Sequence, residues 1–351
     1  MNQAEDPWEL PSARAFLAEA AGLLDDGGGV LVGGASMPPG LPSGFEAFLH
    51  GRHTRLVVRR VAPDAAANPA ATVAAAFENR EIMDVAGLVA DASLADHVAL
   101  ITPGGTSVAS EAWLVFLRRF LDARNAARAT LSVYLICSAT SDKLGHLPSV
   151  AWRGRLRRLD ITIWADLHAP LSRYEPLASL AEALAVELGA WRLDLAGAIA
   201  AAPFEDLLDP VALIDSWRGA AAIEPDLMDG VPTVCSIALL ESGAMAELRQ
   251  RIWRAQLRAL FPWIEELRQR VIDRHRKRLI ITQQQKLLGV HMPEDIEFGG
   301  IAYQLRSKVT PVEAEFLLAL ARLRNDLAHH RPVASGDLSL VLQNLKRAGY
   351  G

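Results

Sequence analysis

Close to the C-terminus, Arg324, Asn325, Asp326, His329 and His330 fall within seven residues. A guanidinium offers paired N–H donors to a phosphate or carboxylate. An imidazole moves protons near neutral pH. An amide between them can orient either partner. Together these residue types suit a site that handles an anion.

The element that must position them is marked at both ends. Thr310 is placed to cap a helix, with Glu313 reaching back to complete the cap, and Pro311 sits where a missing N–H costs nothing. Phe316, Leu320, Leu323 and Leu327 repeat at helical spacing and form one apolar stripe. Pro332 prevents easy continuation. Five residues correspond to about 500° of rotation, so Arg324 and His329 diverge by about 140° on an ideal helix. They converge only if the helix end unwinds, or across the seam of a dimer.

Arg324-Asn325, three further residues and His329, within Leu320 to His329, resemble the last long helix of HEPN domains, helical modules of prokaryotic toxins and defence proteins. The resemblance covers roughly the final third of the chain. It implies a metal-independent endoribonuclease without a cofactor, in which the RNA 2′-OH attacks the adjacent phosphate. Arg324 would hold the scissile phosphate, His329 would act as acid/base or position the nucleophile, and Asn325 would orient them. It also implies a homodimer with two copies of the motif facing each other. RNA contact is expected from the basic run Arg274, Arg276, Lys277 and Arg278, with His330 as a supporting donor. The alternative is a non-catalytic subunit of a defence system that binds RNA, nucleotide or a partner protein. Arg324 then pairs with Asp326, Glu313 or another acid, and His329 caps the helix C-terminus.

Composition sets the frame. The chain has 351 residues, enough for two domains, with half of them apolar. From Ala246 to Gly351 there are 18 Lys and Arg against 11 Asp and Glu, although the whole chain carries −5. A basic C-terminal part on an acidic body suits a polyanion, the acidic part of another subunit, or simply a solvated face. Cys137 and Cys235 are the only cysteines, which fits a reducing cytoplasm. Met1 to Leu10 lacks the apolar core of a leader. No stretch is long and apolar enough to cross a bilayer, and no Cys/His cluster has metal spacing.

Upstream, five apolar runs read as strands: Val30 to Val32, Leu56 to Val61, His97 to Ile101, Leu131 to Cys137 and Ile161 to Trp164. Helical stretches separate them, including a short basic piece around Trp152 to Arg158. This alternation argues for a buried parallel sheet. The strand, the Gly33-Gly34 loop and the following helix resemble the nucleotide-binding core of AAA+ and related signalling NTPases. The loop lacks the Lys that reaches phosphates, and Ile101 is followed by Thr102-Pro103-Gly104-Gly105 rather than acids. The resemblance implies a domain without hydrolysis that is either a scaffold or holds a nucleotide weakly through the Gly33 and Gly34 amides. A third reading is an NTPase with drifted motifs. The expected fold is thus α/β plus all-α: a P-loop NTPase-like parallel sheet over 1–165, a helical lid and linker over 166–243, and a HEPN-like helical bundle over 244–351.

Overall fold

A computed structural model of the chain describes residues 6–62, 68–103, 107–127, 131–137, 141–170, 175–219 and 225–351. Gly104, Gly105, Ala65 to Ala67 of an Ala-rich tract, and Met1 to Glu5 lie outside them. The chain packs as two units, Met1–Asp160 with Glu224–Thr233, and Ile161–Ile223 with Val234–Gly351. The stretch expected as lid and linker thus groups mostly with the C-terminal helices.

The first unit holds five parallel strands: β1 (Gly28–Val32), β2 (Val57–Val61), β3 (His97–Ile101), β4 (Ser132–Cys137) and β5 (Ser149–Ala151). Their order is β2-β3-β4-β1-β5. Val30 stands opposite Leu135 on one side and Ser149 on the other. The helices are α1 (Pro11–Gly22), α2 (Leu41–Arg52), α3 (Pro69–Ala76), α4 (Val85–Ala90), α5 (Ser107–Ala127) and α6 (Ser141–Leu144). Alternation along each strand sorts the two faces. Val30, Ala99, Ile101, Val133 and Leu135 join one core with α3, α4, α5 and Leu144. Tyr134 points the other way, edge-on to Phe45 of α2 at 5.0 Å and donating its hydroxyl to Ala20 O of α1 at 3.0 Å.

The fifth strand differs from expectation. Ile161 to Trp164 belongs to helix α7 (Arg158–His168), and β5 supplies the fifth strand instead. The β-branched run suggested a strand, but Ile161, Trp164 and Ala165 are buried at helical spacing. Asp160, 1% exposed, accepts from Arg157 N at 2.8 Å and so caps the first turn. The basic piece before it, Trp152 to Arg157, is turn and loop.

In chain order the remaining helices are α8 (Leu177–Gly189), α9 (Leu193–Ala201), α10 (Phe204–Leu208), α11 (Pro210–Asp215), α12 (Ser236–Glu241), α13 (Met245–His275), α14 (Gln283–Leu287), α15 (Phe298–Leu305), α16 (Pro311–Ala328) and α17 (Ser335–Asn344). Between α11 and α12 the antiparallel pair β6 (Asp226–Met228) and β7 (Val231–Thr233) belongs to the first unit. α13 runs through Pro262 without ending and packs against α8, α12 and α16. α16 is held between α13, α15 and α17.

Candidate functional site

Two places were expected to carry chemistry, one in each unit. In the first, β1 leads into α2 on the Tyr134 face, while β4 leads into Leu144 on the opposite face. Neighbouring parallel strands whose connections part in this way leave a crevice at their carboxyl ends, the usual ligand position in such sheets. Here the chain itself fills that place. Gly33 N donates to Cys137 O at 2.9 Å, closing β1 onto β4. A Cβ at Gly33 would meet Met37 Cε at 3.1 Å, so Met37 lies over it.

Next in the same loop, Ser36 meets a carboxylate from far along the chain. Asp226 Oδ2 accepts from Ser36 N at 3.2 Å and from the Ser36 hydroxyl. Asp226 Oδ1 accepts from Gly154 N at 3.0 Å and from its neighbour Leu227 N at 2.7 Å. Trp152 Nε1 donates to Ser36 Oγ at 2.9 Å. Asp226 is 1% exposed. Backbone amides converging on a buried anion form the kind of nest that elsewhere binds phosphate, and the occupant here is Asp226. Of the two glycines assigned to a nucleotide, Gly33 has its N–H engaged by the sheet.

In the second unit, α16 begins as its sequence indicates: Thr310 Oγ1 accepts from Glu313 N at 3.3 Å. Glu313 does not reach back. It is 5% exposed, and its Oε1 accepts from Tyr350 OH at 2.8 Å and lies 2.8 Å from His275 Nε2. Arg274 Nη1 is 3.7 Å away. Burial, and next the hydrogen bond to Glu313, push the Tyr350 hydroxyl above the ordinary tyrosine range. His275 is 5% exposed and its Nδ1 has no partner. This His–Glu–Tyr cluster was missed, although a signal existed. Glu313 is in phase with Phe316, Leu320, Leu323 and Leu327, and His275 with Ile264, Leu267 and Val271, so both lie on apolar faces.

At the other end of α16 the motif residues part. Leu318, Arg322, Asn325 and His329 line one exposed stripe. No described residue hydrogen-bonds the His329 imidazole or the Asn325 amide. Arg324 lies off that stripe, half-buried, with Nε 3.7 Å from Glu265 Oε1 of α13 and without a hydrogen bond. Asp326 pairs instead with Arg331 at 3.3 Å.

The helix then stops by backbone geometry. His329 is the C-cap, His330 takes φ 59°, and Arg331 N bonds Asp326 O at 2.9 Å while His330 N bonds Leu327 O at 3.3 Å. That is a Schellman stop with histidine at the position usually held by glycine. Trp253 Nε1 donates to Leu327 O at 2.8 Å, and its ring lies 4.6 Å from that of His330.

The basic run closing α13 is largely engaged by its own unit. Arg276 pairs with Glu294, Arg274 donates to Ala348 O at 2.7 Å, and Arg278 donates to Lys308 O at 2.7 Å. Lys277 is exposed and has no described partner. Among the described residues no group of three His, Cys, Asp or Glu is arranged to hold a metal, and no helix is long and apolar enough to cross a membrane. Comparison with protein families, with curated proteins and with solved structures finds no match to this chain.

Proposed function

We propose that the chain is an endoribonuclease effector of a bacterial defence or toxin system, working without metal through a HEPN-type site at Arg324, Asn325 and His329. The observation that carries the reading is the exposed end of α16. There an imidazole and an amide without a described partner share one exposed stripe, and the half-buried guanidinium of Arg324, its enclosed Nε facing Glu265, directly precedes Asn325. His329 is available to move a proton and Arg324 to hold phosphate oxygens. The two point apart, so a site containing both draws on a second copy of the chain. In the first unit, Asp226 in the Ser36 loop supports a scaffold or regulator without nucleotide chemistry.

A second reading rests on the approach of Glu265 to Arg324 at 3.7 Å. If that pair holds Arg324 in place, the same surface binds RNA without cutting it. Incubating the full chain with total RNA in excess chelator separates the two. Cleavage is expected from the wild type and not from Arg324→Ala or His329→Ala. A mixture of the two inactive variants should regain activity if each site draws on two chains. Intact RNA in every lane, with retention on a filter, sinks the nuclease reading and leaves the binding one.

A further inference from the structure

The start of α16 lies about 20 Å from Arg324, at 1.5 Å per residue. It opens on a cleft of about 470 Å³ whose lining includes Arg274, His275, Arg278, Lys308, Thr310 and Glu313. None of these belongs to the proposed cleavage site. Three permanent cations face one carboxylate, and that carboxylate is already engaged by Tyr350, His275 and Arg274.

The cations are positioned rather than loose. Arg278 Nη1 donates to Lys308 O at 2.7 Å, and Lys308 Nζ donates to Arg278 O at 3.0 Å. This reciprocal tie brings both heads to one rim. A guanidinium has five N–H donors and an ammonium three, so each retains donors beyond the tie. The first turn of α16 adds the Val312 amide, since Pro311 has no N–H and Glu313 N is taken by Thr310, and the positive end of the helix dipole.

A helix start with nearby cations is common on protein surfaces. The second observation is His275. It is 5% exposed, it lines the cleft, and with Nε2 on Glu313 its enclosed Nδ1 has no hydrogen-bond partner among the described residues. A buried polar atom in that condition calls for a group the chain does not supply. Nδ1 is enclosed, so the group that reaches it is a water drawn in beside the ligand.

We propose that this cleft is a phosphate site, in which Arg274, Arg278 and Lys308 at the start of α16 hold the monoester end of a phosphorylated ligand. Its geometry is independent of the ribonuclease reading. A free phosphorylated small molecule and the terminal phosphate of an RNA present the same group to these donors.

The test uses the full chain and inorganic phosphate as the probe, with chloride at equal ionic strength as the reference. Phosphate should raise the thermal midpoint and shift the amide resonances of Thr310 and Val312. Arg278→Gln and Lys308→Gln should each weaken phosphate binding about tenfold, the scale of one lost charge-assisted contact. Arg331→Ala, just past the far end of the helix, should leave it unchanged. A short oligoribonucleotide with a 5′-phosphate is then compared with the same oligomer ending in a 5′-hydroxyl. A preference for the first assigns the site to RNA ends, and equal binding of the two oligomers assigns it to a small ligand. Absence of any phosphate-specific shift overturns the proposal, as does a response that survives both Gln variants or disappears with Arg331→Ala. The amide shifts are read on the wild type, so they decide the matter even if a variant misfolds.

Discussion

His330 shows how a residue from a suggestive motif can hold a structural post. An L-residue in the left-handed region is strained by about 1 kcal/mol, and the Trp253 ring at 4.6 Å offsets part of that. His330→Gly relieves the strain and loses the ring contact, so its stability should stay within about 0.5 kcal/mol of wild type. His330→Ala keeps the strain and loses the contact, and should cost about 1 kcal/mol. Urea unfolding compares them, and an Ala variant as stable as the Gly variant would remove the strain account. Tyr350 gives a second test at this scale. Its hydroxyl titrates above the ordinary value when folded. The stability it contributes is therefore complete below about pH 10 and declines as pH rises through that value, by at most about 1.4 kcal/mol per pH unit. Tyr350→Phe should make the alkaline decline shallower. Some decline remains, because burial also raises Tyr134. An unchanged alkaline slope in Tyr350→Phe would show that Tyr350 does not titrate in this way. Arg324, Asn325 and His329 were legible by type and spacing, and their divergence followed from helix geometry. The His275–Glu313–Tyr350 cluster was not read, because Glu313 has two plausible uses and local pattern favoured the cap.

At the scale of elements, β1, β3 and β4 were legible as apolar runs because strands buried on both faces need little else, and the edge strand β2, with Arg59 and Arg60 exposed, was legible from its valines. β5 was not. It spans three residues, and only Val150 of them is buried. Ile161 to Trp164 took its place because β-branched residues favour strands locally, and the capping contact from Asp160 is visible only in three dimensions. The Asp226 contact lay further from reach, since 190 residues separate it from Ser36. It gives a loop with two glycines and a serine an internal carboxylate to fold around. Removing the carboxylate strands the amide of buried Ser36 and that of half-buried Gly154. Asp226→Ala should therefore lower stability by about 3 kcal/mol and speed hydrogen exchange at those two amides before others in the sheet. Wild-type exchange at Ser36 in the variant would show that Asp226 does not hold the loop.

For the whole molecule, the charge asymmetry read along the sequence changes once the chain is divided as it packs. The C-terminal excess of basic residues is matched by acids of 161–223 and 234–245, and the helical unit carries 21 Lys and Arg against 21 Asp and Glu. Part of this balance is direct pairing, Arg254 with Glu187 and Arg258 with Glu182 at 3.1 Å each. A neutral unit has little long-range pull on a polyanion, so RNA affinity has to come from local donors. The cleft at the start of α16 supplies three cations. Counterion release then predicts a shallow dependence of binding on salt, with log K falling against log salt at a slope of about −2 for a single strand. If the whole basic run and the outer arginines of α13 met the RNA, the slope would exceed about −5. Filter binding of a non-cleavable oligoribonucleotide to the full chain across a salt series measures it. A shallow slope that falls further in Lys308→Gln places the RNA contact at the cleft. A steep one returns the contact to the broad basic face that the sequence suggested.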